Sequence, residues 1–318
     1  MLGFSAYTTT KTVSNTGSEN RYKLADSLGA DLIPGRFLFS DGKTEKTLTH
    51  TKGSCRLTFK EDTDSLTKII LLGCSYTYGY SLSDWETYPY IADSLLTNFN
   101  ILNCAVPGHG TMQALLKLKK ILLSSKSKNP KIVIVNYLSF HDERNCFDKN
   151  YQSKFLSGFV RFEKKGLEDT LLQKKLPYLK ANDASHEIHF MSIKQMKANE
   201  FPLKKHSALA NRLSNFMANI TTNVEEENEL SCYLLGEINT LCSKNDIEFY
   251  VSYMETEKHI AKVLNYCGTN NIQTLDLSID LTDTTNLNSP FDSYHPNYKA
   301  NKVFAHKLVN GLAKKNIK

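Results

Sequence analysis

The sequence predicts an α/β domain in which a parallel sheet carries helices on both faces. Three observations lead there. Short, nearly unbroken apolar runs recur, as in "KIILLG", "KIVIVNYLSF" and "IEFYVSYM", which is how strands buried on both faces read. Between them lie segments whose apolar residues repeat at helical spacing. The two kinds alternate from Lys68 onward, and such alternation makes parallel βαβ units with right-handed crossovers.

The first 65 residues do not share this rhythm. They contain the β-type stretches "RFLFS", "KTLTHT" and "CRLTF", with Asp41-Gly42 marking a turn. Residues 1–65 are therefore read as a small β-rich extension, either packed on the main domain or forming a wall on its substrate side.

Residues 66–318 form the main domain. "KIILLG" is its first strand, and the turn "GCSYTYG" follows. Tyr88, Ile91, Ala92, Leu95 and Phe99 then recur at helical spacing, with Ser83 and Glu86 placed as a capping box. "NILNCAVPGHG" is a second strand ending at Pro107-Gly108, and Leu115, Leu118 and Leu122 mark the next helix. "KIVIVNYLSF" is the third strand.

From about 147 to 222 the period is lost, and Pro177 and Pro202 interrupt the segment. This is an insertion of short helices, either a lid or cap or a purely structural addition. Thr222-Asn223-Val224-Glu225 supplies a second capping box, leading into a helix with Leu230, Leu234, Ile238 and Leu241 on one stripe. The fourth strand is "IEFYVSYM", "KHIAKVLNYCG" is a helix closed by Gly268, and "IQTLDLS" is the fifth strand. A final helix enters after Pro296 and turns Ala300, Phe304, Leu308 and Leu312 inward.

Composition narrows the function. With 41% hydrophobic and 23% charged residues the chain is globular, which excludes disordered and collagen-like classes. The net charge of +6 comes from scattered lysines such as Lys117, Lys119 and Lys120, without an Arg-rich block. A solvated lysine-rich surface is expected, not a nucleic-acid partner. Seven cysteines form no C-x-x-C pair, and reduced thiols in a cytoplasmic protein are the simplest account. The stretch "MLGFSAYTTTKTVSN" does not read as a signal peptide, and no apolar run is long enough to span a bilayer. Oligomeric state is not legible.

In an open parallel sheet, ligands bind beyond the carboxyl ends of the strands. Those ends carry "GCSYTYG", "VPGHG", "FHDER" and "DSYH". Ser75 follows the first strand directly. A serine hydroxyl needs a neighbouring base before it is a useful nucleophile, and a turn or cap hydroxyl is the plain alternative. Asp292 and His295, three apart ahead of the last helix, are spaced so that the carboxylate can fix the imidazole tautomer while the other ring nitrogen faces a serine.

These stretches, Gly73 to Gly79, Gly108 within "NCAVPGHG", and Asp292-Ser293-Tyr294-His295-Pro296, resemble the first, second and last sequence blocks of the SGNH (GDSL-type) hydrolases. The likeness runs in order over residues 68 to 312, apart from the insertion. It implies a three-layer, flavodoxin-like domain and an ester hydrolase with Ser75 as nucleophile, His295 as general base and Asp292 as its orienting partner. The backbone N–H groups of Ser75 and Gly108 would bind the oxyanion. The implied substrate is a small-molecule or carbohydrate acyl ester, acetyl foremost. An O-acyltransferase using the same site, or a non-catalytic carbohydrate- or partner-binding relative, are the alternative readings.

The chain departs from that pattern twice. Cys74 stands where many members have Asp, and is read as core filler or as a competing thiol nucleophile. The third block's Asn is absent from "NYLSFHDER"; His141 falls nearest its place, either as an oxyanion donor or in a structural role paired with Asp142 or Arg144, and Asn136 is the other candidate. His109 is either an exposed loop residue or a substrate contact. Tyr76, Tyr78, Tyr80 and Trp85 either line a pocket or pack. His186, His189 and His206 lack metal-ligand spacing. Neither G-x-G-x-x-G nor a P-loop is present, so no cofactor or metal is expected.

Overall fold

The computed structural model describes residues 21–25, 27–40, 44–61, 65–124, 130–149, 151–152, 155, 175–180, 183, 185–198, 207, 209–210, 212–213, 216, 224–288 and 292–315. These fall into two compact units, one of residues 21–23, 30–141 and 231–315, the other of 24–29 and 142–230.

The first unit is built on a five-stranded sheet whose order is Gln273–Asp276, Glu248–Tyr253, Pro130–Tyr137, Thr67–Leu72 and Phe99–Asn103. Every neighbouring pair in it is parallel. Read from the Phe99–Asn103 edge, the order by chain position is second, first, third, fourth, fifth, the flavodoxin-like arrangement. The direction of sheet growth reverses between the Thr67–Leu72 and Pro130–Tyr137 strands, and the carboxyl ends at such a switch point are where open α/β sheets bind ligands.

The apolar runs owe their continuity to burial on two sides. Ile69, Leu71, Ile101, Ile132, Ile134 and Leu275 pack against Tyr88 and Ala92 of the Tyr88–Leu95 helix and against Ala300, Phe304, Leu308 and Leu312 of the Tyr298–Lys314 helix. Ile70, Leu72, Leu102, Val133, Val135 and Val251 alternate with these, point to the opposite face, and are buried too. The Thr111–Ser124 helix lies against the Pro130–Tyr137 strand and buries Met112, Leu115 and Leu118. Each Val, Leu, Ile, Phe or Met side chain withdrawn from water contributes about 1.5–3 kcal/mol.

Several boundaries differ from the sequence reading. The Ser83–Glu86 capping box is present, but it caps the start of a 3-10 turn at Asp84–Glu86; the α-helix starts at Tyr88 with Pro89 in its first turn. Phe99 lies in the second strand, because the helix ends at Leu95. Gly268 stays inside its helix, whose cap is Asn270. The last helix is capped by Asn297, whose side chain accepts the Ala300 N–H, so Pro296 precedes the cap and ends a short strand instead. The Asp41-Gly42 turn, Thr222-Asn223 and most of 147–222, including Pro202, lie outside the described residues. Within 142–230 the structure also has an antiparallel hairpin, Lys175–Tyr178 with His189–Ser192, where only helices were expected; Pro177 is paired with Phe190. Its neighbourhood is a small core of Phe147, Tyr151, Leu176, Ile193 and Met196.

Of the N-terminal extension, the described residues from Ala30 onward belong to the same unit as the sheet and pack on it. Its hairpin pairs Gly35–Ser40 with Glu45–His50, and Leu32, Phe37 and Leu48 join Tyr78, Ala105 and Val106 in one core. "CRLTF" is not a full strand: Arg56 makes isolated bridges to His50 and Asn103. Lys117 is not part of a solvated surface. It is buried, donating to Asp31 Oδ1 at 2.5 Å and to Ser54 O at 2.8 Å, while Lys120 donates to Asp31 Oδ2 at 3.0 Å. Two attracting ammonium groups offset the burial of that carboxylate and hold it below the ordinary carboxylate range.

The expectation of uniformly reduced thiols is also overturned. Cys55 and Cys104 form a disulfide with Cα atoms 4.1 Å apart, while Cys74, Cys146, Cys232, Cys242 and Cys267 are free. No C-x-x-C spacing announces this bond because its partners sit 49 residues apart and meet only through the fold. No described helix is long and apolar enough to cross a membrane.

Closing a loop with a 49-residue separation restricts the unfolded chain by about 4 kcal/mol. Replacing Cys55 and Cys104 together by alanine is expected to lower unfolding stability by about 2–4 kcal/mol, read from the denaturant midpoint at constant slope. His50 supplies a pH signature. Burial pushes its imidazole down from 6.5 to about 4, and in its neutral form Nδ1–H donates to Ile33 O while Nε2 accepts the Tyr78 hydroxyl. The unfolded chain binds this proton more readily, so the contribution is complete above about pH 6.5 and is lost as pH falls towards 4. Chemical denaturation of wild type and His50→Gln between pH 7.5 and 4.5 should show a stability difference that shrinks on acidification.

Candidate active site

Ser75 owes its position to the turn that carries it. The buried strand ends at Leu72, Gly73 takes φ +156°, and Ser75 opens the short helix Ser75–Tyr78, which Gly79 closes in the left-handed region at φ +79°. Both glycines are required by space as well as by backbone conformation. A Cβ on Gly73 would lie 2.6 Å from Thr77 Oγ1, and one on Gly79 would lie 2.4 Å from Thr87 Cγ2. Cys74, one residue earlier, is fully buried within the core, and Ser75 retains 8% exposure. The thiol is core filler.

Asp292 and His295 come from the other end of the chain. They lie in a short strand, Asp292–Pro296, paired antiparallel with Leu287–Asn288. His295 Nε2 is 2.8 Å from Ser75 Oγ, and His295 Nδ1 is 2.6 Å from Asp292 Oδ2. Asp292 Oδ2 also accepts the Ser81 hydroxyl at 3.1 Å, and Oδ1 accepts the Tyr294 N–H at 3.3 Å. Burial pushes this carboxyl up, but the bonds from His295, Ser81 and Tyr294 outweigh it and hold the group below its ordinary value. An ionised Asp292 accepts from Nδ1–H, which leaves the Nε2 lone pair to accept the Ser75 proton.

Gly108 sits in a turn in which the His109 N–H donates to Val106 O, and its φ of +86° suits glycine. The Val106 N–H in turn donates to Gly73 O at 3.2 Å, which ties the Gly108 turn to the one that presents Ser75. The Ser75 N–H belongs to the first turn of its helix, where backbone donors have no intrahelical acceptor. His109 is not an exposed loop residue: it is 4% exposed and donates from Nε2 to Ala30 O at 2.8 Å.

His141 is fully buried, edge-on to the Tyr137 and Phe140 rings with centroids 5.9 and 5.3 Å away. Asn136 is buried as well, its amide donating to Ser252 Oγ at 3.1 Å on the adjacent strand. Of the aromatic residues, Tyr78 packs in the interior, whereas Tyr76 and Tyr80 flank His295 with ring centroids 5.6 and 4.8 Å from the imidazole. The Tyr76 hydroxyl donates to Tyr294 O, and Phe140 meets the Tyr76 ring edge-on. Trp85 is 54% exposed. His189 contacts Asp183, His206 lies outside the described residues, and among those described no three His, Cys, Asp or Glu side chains are grouped to hold a metal. Sequence reasoning missed Ser81. A lone serine six positions past Ser75 carries no local signal, and only the fold brings it to Asp292.

Comparison with solved structures finds G-D-S-L lipolytic proteins and esterases. A member of the lipolytic G-D-S-L family from Veillonella parvula is 11% identical over 78% of this chain and 99% of its own, with a TM-score of 0.43. A psychrotrophic esterase from Pseudoalteromonas, solved with monoethylphosphonate as inhibitor, is 12% identical over 79% and 100%, with a TM-score of 0.43. A carbohydrate esterase is 11% identical over 87% and 74%, with a TM-score of 0.42. No protein-family model matches the sequence, and a search of curated proteins finds no match.

Gly79→Ala tests how tightly the Ser75 turn is specified. The new methyl meets both a left-handed backbone and Thr87, so a loss of about 2 kcal/mol or more in unfolding free energy is expected. An alanine at Gly268, around which the space is open, should be neutral or slightly stabilising in the same measurement.

Proposed function

We propose that the protein is a serine esterase or deacylase of SGNH type. The observation that carries this reading is the line Ser75 Oγ, His295 Nε2, His295 Nδ1, Asp292 Oδ2, with heavy-atom spacings of 2.8 and 2.6 Å at its two junctions. A hydroxyl bonded to an imidazole that is itself held by a carboxylate is the arrangement that activates a serine.

In this mechanism Ser75 Oγ attacks the ester carbonyl as its proton passes to His295 Nε2. Asp292 holds the imidazole and stabilises the imidazolium. The oxyanion of the tetrahedral adduct is bound by the backbone N–H groups of Ser75 and Gly108, with His141 as the proposed third donor. The imidazolium then protonates the departing alkoxide, leaving an acyl-Ser75. Water, deprotonated by His295, attacks that ester; the carboxylic acid leaves and Ser75 regains its proton.

A short acyl group, acetyl foremost, borne by a small molecule or carbohydrate is the proposed substrate class, supported by the resemblance of the three sequence blocks. A cytoplasmic setting rested on reduced thiols, and the Cys55–Cys104 disulfide removes that basis, since such bonds persist in oxidising compartments.

A fluorophosphonate probe should modify wild type at Ser75, located by peptide mass spectrometry, and should fail to modify Ser75→Ala or His295→Ala. On p-nitrophenyl esters of increasing chain length, wild type should prefer acetyl. Asp292→Asn should lower kcat by about 10⁴ by favouring the wrong tautomer. A chain that binds a carbohydrate ester yet is never labelled would be a non-catalytic relative instead, and diversion of acyl groups to added sugar hydroxyls would mark a transferase.

A further inference from the structure

Arg56 belongs to the N-terminal extension, yet its guanidinium is enclosed beside the Ser75 turn. The side chain is 0% exposed, and its Nε donates to Asp84 Oδ1 at 3.0 Å. Nη1 donates to Tyr78 O at 2.8 Å and to Gly79 O at 2.6 Å, and Nη2 donates to Leu82 O at 2.5 Å. Three backbone carbonyls and one carboxylate are thus held by one rigid fork. Asp84 Oδ1 accepts the Thr49 N–H as well, and the guanidinium lies 4.7 Å over the Tyr78 ring.

The carbonyls that Arg56 holds flank Ser81 on both sides. Ser81 has φ +65°, a left-handed conformation that a serine adopts at a cost unless its surroundings enforce it. In that conformation its hydroxyl donates to Asp292 Oδ2, the same oxygen that accepts His295 Nδ1–H. A return of Ser81 to a right-handed φ would re-aim the hydroxyl, and the carbonyls of Gly79 and Leu82 cannot turn with it while both are bonded to the guanidinium.

We propose that Arg56 is a positioning residue for the esterase reaction, acting through Ser81 on the carboxylate that orients the base. It fixes the 78–82 turn, the turn aims the Ser81 hydroxyl, and the hydroxyl sets which way Asp292 presents Oδ2 to His295. The N-terminal extension is then a working part of the site without touching substrate. This inference rests on the reading of Ser75, His295 and Asp292 as the reacting group.

The test compares wild type, Ser81→Ala, Arg56→Lys, Arg56→Met and each Arg56 variant combined with Ser81→Ala. The readouts are kcat and KM on p-nitrophenyl acetate, and both the rate constant and the final amplitude of fluorophosphonate labelling. Loss of the Ser81 donor to a charged group should lower kcat and the labelling rate constant about tenfold, with KM within about twofold and amplitude unchanged. Arg56→Met should lower the same rate constants by a similar factor, and the double variant should be no slower than the slower single one, because both changes interrupt one route. A lysine is a point charge that cannot fork to three carbonyls, so Arg56→Lys covers the case in which the methionine variant does not fold. It should slow labelling in the wild-type background and have no further effect in Ser81→Ala.

Three results would overturn the proposal: Ser81→Ala labelled at the wild-type rate; losses that multiply in the double variants; or a drop in amplitude at unchanged rate constant, which is what a merely structural role produces. A wild type that is not labelled at all would overturn the esterase reading itself, and so differs from all three.

Discussion

The arrangement depends on one contact made across 220 residues of sequence, the 2.8 Å approach of Ser75 Oγ to His295 Nε2. Neither residue has local means of finding the other. The parallel sheet puts the end of the Thr67–Leu72 strand at the switch point, and the Tyr298–Lys314 helix, packed on the Tyr88–Leu95 helix and the sheet face, fixes where the segment before it must run. Burial of Ala300, Phe304, Leu308 and Leu312 is therefore also what anchors the imidazole. The apolar core and the polar site share one set of constraints.

Much of this was legible in the sequence because it rests on periodicity and on short-range chemistry. Five apolar runs became five parallel strands, and the inward face of the last helix was read residue by residue. Ser75 past one strand and a carboxylate three residues before a histidine are patterns that local spacing exposes. Helix ends were less legible. Phe99 continues a helical repeat on paper, but it pairs with Thr67 across the sheet, and hydrogen bonding to a neighbouring strand overrides spacing within a segment.

What stayed hidden was long-range and polar. The Cys55–Cys104 bond, the burial of Lys117 on Asp31, the His50–Tyr78 hydrogen bond and the Arg56 fork each join residues from the N-terminal extension to the sheet domain. Charged side chains default to the surface when only composition is known. Their burial here follows from partners that no motif announces. Ser81 went unnoticed for the same reason, since its conformation and its acceptor are both set by distant chain.

The separation of Ser75 from His295 also bears on how the chain comes into being. A growing polypeptide that has exposed the serine turn has no imidazole to bond it until synthesis passes residue 295. Contacts of such long sequence range form late and slowly, because a large loop must close first. Vectorial synthesis thus leaves the Ser75 hydroxyl without its His295 contact until the sheet is complete and the closing helix has docked.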